Sequence, residues 1–239
     1  MLRNKIVLFG LFFQLLISMV KAIQIYYLPF YFQSVLGRSA IFSGILTLPY
    51  LMTLLVSPMV SGVIISRHGH YMAVMYIGSS LSCAGSAILT TLNPNSTSSH
   101  YIGYQFVAAL GAGIVQQVQL TAVPLALPVS DMATASAVVS FFNNLGPVII
   151  LSLGNILFTN ELELKLAQIP GLDKGLVGSG INGAVNLSKL VPSKFLSSVR
   201  EALGFGLGRT LLLAVPSAGL ALLFCFGIHC LRLKDRSLD

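Results

Sequence analysis

Lys21 is a lone cation inside "LFGLFFQLLISMVKAIQIYYLPF", residues 8–30, and the polar side chains nearest to it in that run are Gln14, Ser18 and Gln24. At about 100° per residue of an α-helix, these four fall within about 120° of one face. A lysine near the middle of a membrane helix costs roughly 2.5–3.5 kcal/mol on insertion scales, so something must offset it. One reading is a cavity-facing cation that touches a substrate or an acidic group elsewhere; the other is a lysine that snorkels or lines a wet cavity inertly. Two further polar stripes have the same spacing: Gln105, Gln116 and Gln119 on one face, and Ser136, Ser140 and Asn143 on another. Amides and hydroxyls of this kind either line a cavity or bond a neighbouring helix, the latter at about 0.6 kcal/mol each on average. Gln14, Lys21, Gln24, Gln105, Gln116 and Asn143 are the candidate cavity residues.

The remaining reactive types form no catalytic constellation. His68, His70, His100 and His229 fall near the edges of apolar runs with no nucleophile or metal partner at useful spacing. Cys83, Cys225 and Cys230 lie inside apolar runs and read as small packing residues, neither a disulfide framework nor metal ligands. No glycine loop suited to phosphate is present, which leaves ATP-driven transport without support. No Asp or Glu sits in the core of an apolar run, and Asp131 is placed to cap a helix start. The reading is a non-enzyme with no metal and no cofactor, in which proton coupling would have to reside in groups outside this chain.

Such side chains must be carried by membrane helices. Apolar residues make up 55% of the chain and charged residues 9%, with a mean hydropathy of +0.84, which no ordinary soluble domain matches. Runs long enough to cross a bilayer recur at about 8–30, 40–65, 71–92, 101–128, 132–158 and 206–231. They lack the alternation of a barrel, and lipid leaves no other way to pair the backbone, so the expected fold is all-α with six transmembrane helices. The first run is too long, and lacks the small-residue site, for a cleaved signal peptide. Tyr71 and Tyr101, at run edges in a chain without Trp, are expected to anchor at the interface. Gly78, Ser82 and Ser86 form a row of small residues suited to close helix packing.

The net charge of +7 suits membrane topology better than nucleic acid, because the bases sit mainly in loops and tails. With both termini cytoplasmic, Arg3, Lys5, Arg67 and the basic tail at 232–239 lie inside, against Arg38 in the short outer loops. An outer loop at 159–205 carries Lys165, Lys174, Lys189, Lys194 and Arg200, which nearly balances the count. Two sequons, at Asn95 and Asn186, fall in the loops this orientation places outside and are the glycosylation candidates.

Within the stretch "GVIISRHGHY", residues 62–71, residues 66–70 then become a tight cytoplasmic turn between the second and third helices. Its Gly62, Ser66, Arg67, Gly69 and His70 resemble the Gly-x-x-x-Asp-Arg-x-Gly-Arg loop signature of the major facilitator superfamily, with Ser66 in the place of the aspartate and His70 in that of the second base. In that signature the glycines permit close packing and a sharp turn, while the carboxylate and bases lock the cytoplasmic helix ends; losing the acid weakens the lock. Further segments resemble the 14-helix drug:proton antiporter branch typical of fungi. "YYLPFYFQSVLGRSAIFSGILTLP" at 26–49 is similar to its Tyr-Tyr-Leu-Pro-x-Tyr-Phe-Gln and Ser-Gly-x-x-x-Leu-Pro elements. "IGYQFVAALGAGIVQQ" at 102–117 is similar to its glycine-rich helix, and "FFNNLGPVI" at 141–149 to its Phe-Phe-x-x-Leu-Gly element.

These segments occur in family order along nearly the whole chain. The resemblance implies the C-terminal six-helix half of a multidrug or toxin efflux transporter of the plasma membrane, a proton antiporter when complete. Its implied partners are the lipid bilayer, a small organic substrate, and an N-terminal half or full-length partner, with no nucleic acid. The rival is a six-helix membrane protein that does not transport: a scaffold, a regulator of a full-length partner, or a nonfunctional remnant.

Overall fold

The computed structural model describes residues 5–69, 71–92, 97–125, 132–170, 192 and 194–236, with backbone alone at 5, 6, 98, 117, 119–125 and 228–236. Among these residues the chain is helical with no strand: α1 Lys5–Ser34, α2 Ala40–His68, α3 Tyr71–Leu89, α4 Ser98–Leu125, α5 Met132–Leu166, α6 Leu196–Leu212 and α7 Ala214–Arg236. The last two are one rod broken at Leu213, whose N–H turns back to the Thr210 carbonyl at 3.1 Å. Pro216 has no N–H to offer the Leu212 carbonyl, so the helix tightens there instead of continuing regularly. With α6 and α7 taken together there are six rods, and searched over the described residues alone five of them are long and apolar enough to cross a membrane.

Several helices differ in extent from the apolar runs. The fifth runs on to Leu166 and the last rod starts at Leu196, so helix occupies both ends of the interval 159–205, and Lys165 and Arg200 are helical residues. Amphipathic turns such as "NELELKL" extend a helix past the apolar stretch that betrays it, because the backbone pairs as well in an interfacial layer as in hydrocarbon.

Centrality distinguishes α1 from its neighbours. In its apolar segment 61% of the residues are buried, against 17% in α2 and 22% in α5. It packs on α7, α5, α2, α4 and α6. Phe30 meets Phe158 of α5 at 5.4 Å between ring centres, and Phe32 meets Tyr101 of α4 at 5.4 Å. Tyr101 is therefore an interior residue, contrary to its expected place at the interface. The outward side of α2 shows Ile41, Leu48, Leu55, Met59 and Val63, which suits hydrocarbon. Since lipid is as apolar as those side chains, close van der Waals fit rather than water exclusion must hold the helices together. The α3–α4 contact supplies it: Gly78, Ser82, Gly85 and Ser86 are buried against Ala108 and Gly111. A methyl group at Gly111 would strike the Ser82 backbone N, and one at Gly85 the Ala108 backbone.

Two glycines end helices in the left-handed region, where a side chain is costly. Gly69, φ 68°, closes α2 by donating to the Ile65 carbonyl at 2.8 Å, and Gly37, φ 66°, turns the chain between α1 and α2. Ser39 then caps α2 by accepting from the Phe42 N–H at 3.3 Å.

Candidate functional site

The polar stripe of α1 runs along the inside of the bundle, and each of its long side chains bonds a different helix. Gln14 donates to Asn143 of α5 at 2.7 Å. Lys21 donates to the Gln116 carbonyl of α4 at 2.9 Å. Gln24 donates to Ser86 of α3 at 2.9 Å and accepts from Tyr50 of α2 at 2.8 Å. A neighbouring link joins Gln105 of α4 to the Leu46 carbonyl of α2 at 3.0 Å. This carbonyl lies next to that of Ile45, from which Pro49 withholds its N–H donor. Five helices are thus joined by one polar seam.

All six candidates belong to this seam, but their exposure differs. Gln14, Gln24 and Gln105 are fully enclosed and Lys21 is 8% exposed, whereas Gln116 and Asn143 are half-buried. The seam is therefore reached from its α4 and α5 side. Lys21 is matched by a neutral amide there, which satisfies one ammonium proton and none of its charge. The carbonyl oxygens of Gln14 and Gln105 are buried without a hydrogen-bond partner among the described residues. An acceptor left so costs about 1–3 kcal/mol. Together these groups place an unneutralised cation and two unpaired acceptors inside the bundle, among the described residues.

The other stripes converge only in part. Ser136 and Ser140 are exposed on α5, Ser136 bonding its own helix at Met132, so Asn143 alone of that stripe enters the seam. Ser18 bonds the Leu15 carbonyl of its own helix. The side chain of Gln119 lies outside the described residues. Tyr50 is the seam member that sequence reasoning passed over, because a tyrosine inside an apolar run reads as bulk; its hydroxyl, fully enclosed, holds Gln24 in place.

The candidate gating turn is shorter than the sequence suggested. Helix α2 continues through Ser66, Arg67 and His68, and Gly62 lies within it. Ser66 spends its hydroxyl on the Val63 carbonyl at 2.9 Å, and Arg67 is exposed. His70 lies outside the described residues, as do Asn95, Asn186 and Asp131.

No protein-family model matches the chain. Over its full length it is 30% identical to "MFS-type efflux pump MFS1" of Arthroderma benhamiae, of which it spans 44%. It is 35% identical over 217 residues to the "Aspyridones efflux protein" of Neocamarosporium betae, covering 90% of this chain and 38% of that one. It is 29% identical over 234 residues to "Efflux pump roqT" of Penicillium rubens, covering 98% and 42% respectively. The chain thus spans less than half the length of these curated relatives.

Proposed function

Because the chain belongs to the major facilitator superfamily, among relatives that are efflux pumps, we propose that it forms the C-terminal six-helix half of an efflux transporter for small organic molecules. The observation that carries this reading is the seam on α1. Lys21, on the most enclosed helix, is paired among the described residues with an amide alone, the half-buried side chain of Gln116. A buried ammonium keeps its charge most cheaply where a carboxylate or a polar ligand can approach it, and a second half-bundle would supply both. Gln14, Gln24, Gln105 and Asn143 then shape the wall of the passage, while Tyr50 and Ser86 hold Gln24 in position. Proton coupling resides in the other half, and the end of α2 with the residues after it, Gly62, Ser66, Arg67, Gly69 and His70, gates the cytoplasmic side with a weakened lock. The membrane is the plasma membrane, and both termini are cytoplasmic.

The test compares vesicles containing the 239-residue chain alone with vesicles containing the chain fused behind the preceding portion of a related pump, at equal membrane content. Proton-gradient-dependent export of a fluorescent dye is expected from the fusion and absent from the chain alone. Export by the chain alone that collapses with an uncoupler would remove the half-transporter reading. Absence of export from a fusion that folds and reaches the membrane would favour the non-transporting scaffold.

A further inference from the structure

At the end of the bundle where α1 and α3 stop and α6 begins, the described residues line an open cavity of about 1180 Å³ that includes no residue of the seam. Three arginines line it, Arg38, Arg200 and Arg209, against the single carboxylate of Glu201. Guanidinium stays charged at any working pH, so the lining carries two net positive charges. Among the described residues none of the three arginines makes an ion pair.

These cations are positioned by the fold. Gly37 leaves the space that Arg200 occupies: a Cβ there would lie 2.5 Å from Nη2 and 3.1 Å from Cζ. Arg209 sits 5.3 Å from the centre of the Phe205 ring, and Lys165 of α5 is 4.4 Å from the same centre. On α6 the lining residues Ser197, Glu201, Gly204, Gly208 and Leu212 recur every three or four positions, so they share one face. Leu203, Leu207 and Leu211 of the same helix are buried in the bundle. The cavity also has an apolar wall of Val35, Leu36, Leu92, Phe205 and Leu212.

Guanidinium groups match phosphate oxygens with paired hydrogen bonds. An apolar wall beside them, at the water edge of a membrane bundle, suits hydrocarbon attached to that phosphate. We propose that this cavity binds a phosphate-bearing amphiphile, its phosphate held by Arg38, Arg200 and Arg209 and its hydrocarbon against the Val35–Leu92–Leu212 wall. Glu201 limits the site to ligands of low negative charge, such as the phosphodiester of a phospholipid. The site serves to fix the α1–α2 turn against α6 in the membrane, and it stands whether or not the chain transports.

The experiment is native mass spectrometry of the full 239-residue chain in neutral detergent, titrated with dioleoyl phosphatidylglycerol, with dioleoylglycerol, and with inorganic phosphate. Retention of the phospholipid is expected, with at least ten-fold weaker retention of dioleoylglycerol. Retention should fall about ten-fold in Arg38→Gln/Arg200→Gln/Arg209→Gln and be unchanged in Arg67→Gln at the other end of the bundle. Arg209→Gln alone, expected to lose several-fold, serves if the triple variant fails to fold by circular dichroism. Displacement of the lipid by millimolar inorganic phosphate, dependent on the arginines, would support the assignment of the lipid phosphate to these arginines. Equal retention of dioleoylglycerol, or equal phospholipid retention by the folded arginine variants, would overturn the proposal.

Discussion

Lys21 and Gln116 form an asymmetric pair, and the asymmetry separates a structural from a transport role. Removing the amide leaves an enclosed ammonium without its hydrogen bond, whereas replacing the lysine removes the charge that needed it. Gln116→Leu is therefore expected to lower the thermal stability of the detergent-solubilised protein by about 1.5–3 kcal/mol. Lys21→Met should leave stability unchanged or raise it. In a complete transporter, Lys21→Met should nevertheless reduce dye efflux at equal surface expression. A lysine that served only to hold α1 to α4 would give the opposite outcome, lower melting temperature with normal efflux. Tyr50→Phe is a milder probe of the same seam: it leaves the ring in place but frees the Gln24 carbonyl, and about 1 kcal/mol of stability should be lost in the same melting assay.

Between helices, contact distance is set by the smallest residues. Gly111→Ala would drive a methyl group into the α3 backbone at Ser82, which cannot yield without moving the whole helix. A loss of about 2 kcal/mol or more in detergent melting is expected. Gly103→Ala on the same helix, where a Cβ meets nothing within 4 Å, should stabilise by about 0.5–1 kcal/mol through reduced backbone entropy of the unfolded chain. If both substitutions behaved alike, close α3–α4 packing would not be what holds these elements. At the α2 terminus Gly69 occupies a left-handed conformation with open space around it, so a substitution there is penalised by backbone conformation and not by crowding.

For the molecule as a whole, the helix ends divide into two sets. The starts of α1, α3 and α5 lie with the ends of α2 and α7, and the Arg38 cavity lies at the opposite end. If the termini are cytoplasmic, a C-terminal tag should stay protected from antibody in intact cells and become labelled only after permeabilisation. Labelling before permeabilisation would invert the topology. Glycosidase treatment should shift the protein's mobility through Asn186 more than through Asn95, as the Asn186→Gln and Asn95→Gln variants would report, because Asn186 stands farther along the sequence from the neighbouring helices Met132–Leu166 and Leu196–Leu212 than Asn95 does from Tyr71–Leu89 and Ser98–Leu125.

Much of this architecture was legible in composition and period. Apolar runs of bilayer length compel helices because lipid offers the backbone no other partner, and the 100° step places Gln14, Lys21 and Gln24 on one face wherever that helix goes. The same step made Gly78, Ser82 and Ser86 a packing row. Sequence could not say which helix each side chain would meet, since Lys21 and Gln116 are separated by 95 positions and are joined only because small residues let α3 and α4 close up beside α1. Nor could it show that Ser136 and Ser140 turn outward while Asn143 turns in, that Tyr50 joins the seam, or that Arg200 belongs to a helix and not to a loop and lines one cavity with Arg38 and Arg209. Helix period fixes angles about a single axis; the rotation and depth of each axis against its neighbours are decided by contacts among all of them, and only the tertiary structure contains those.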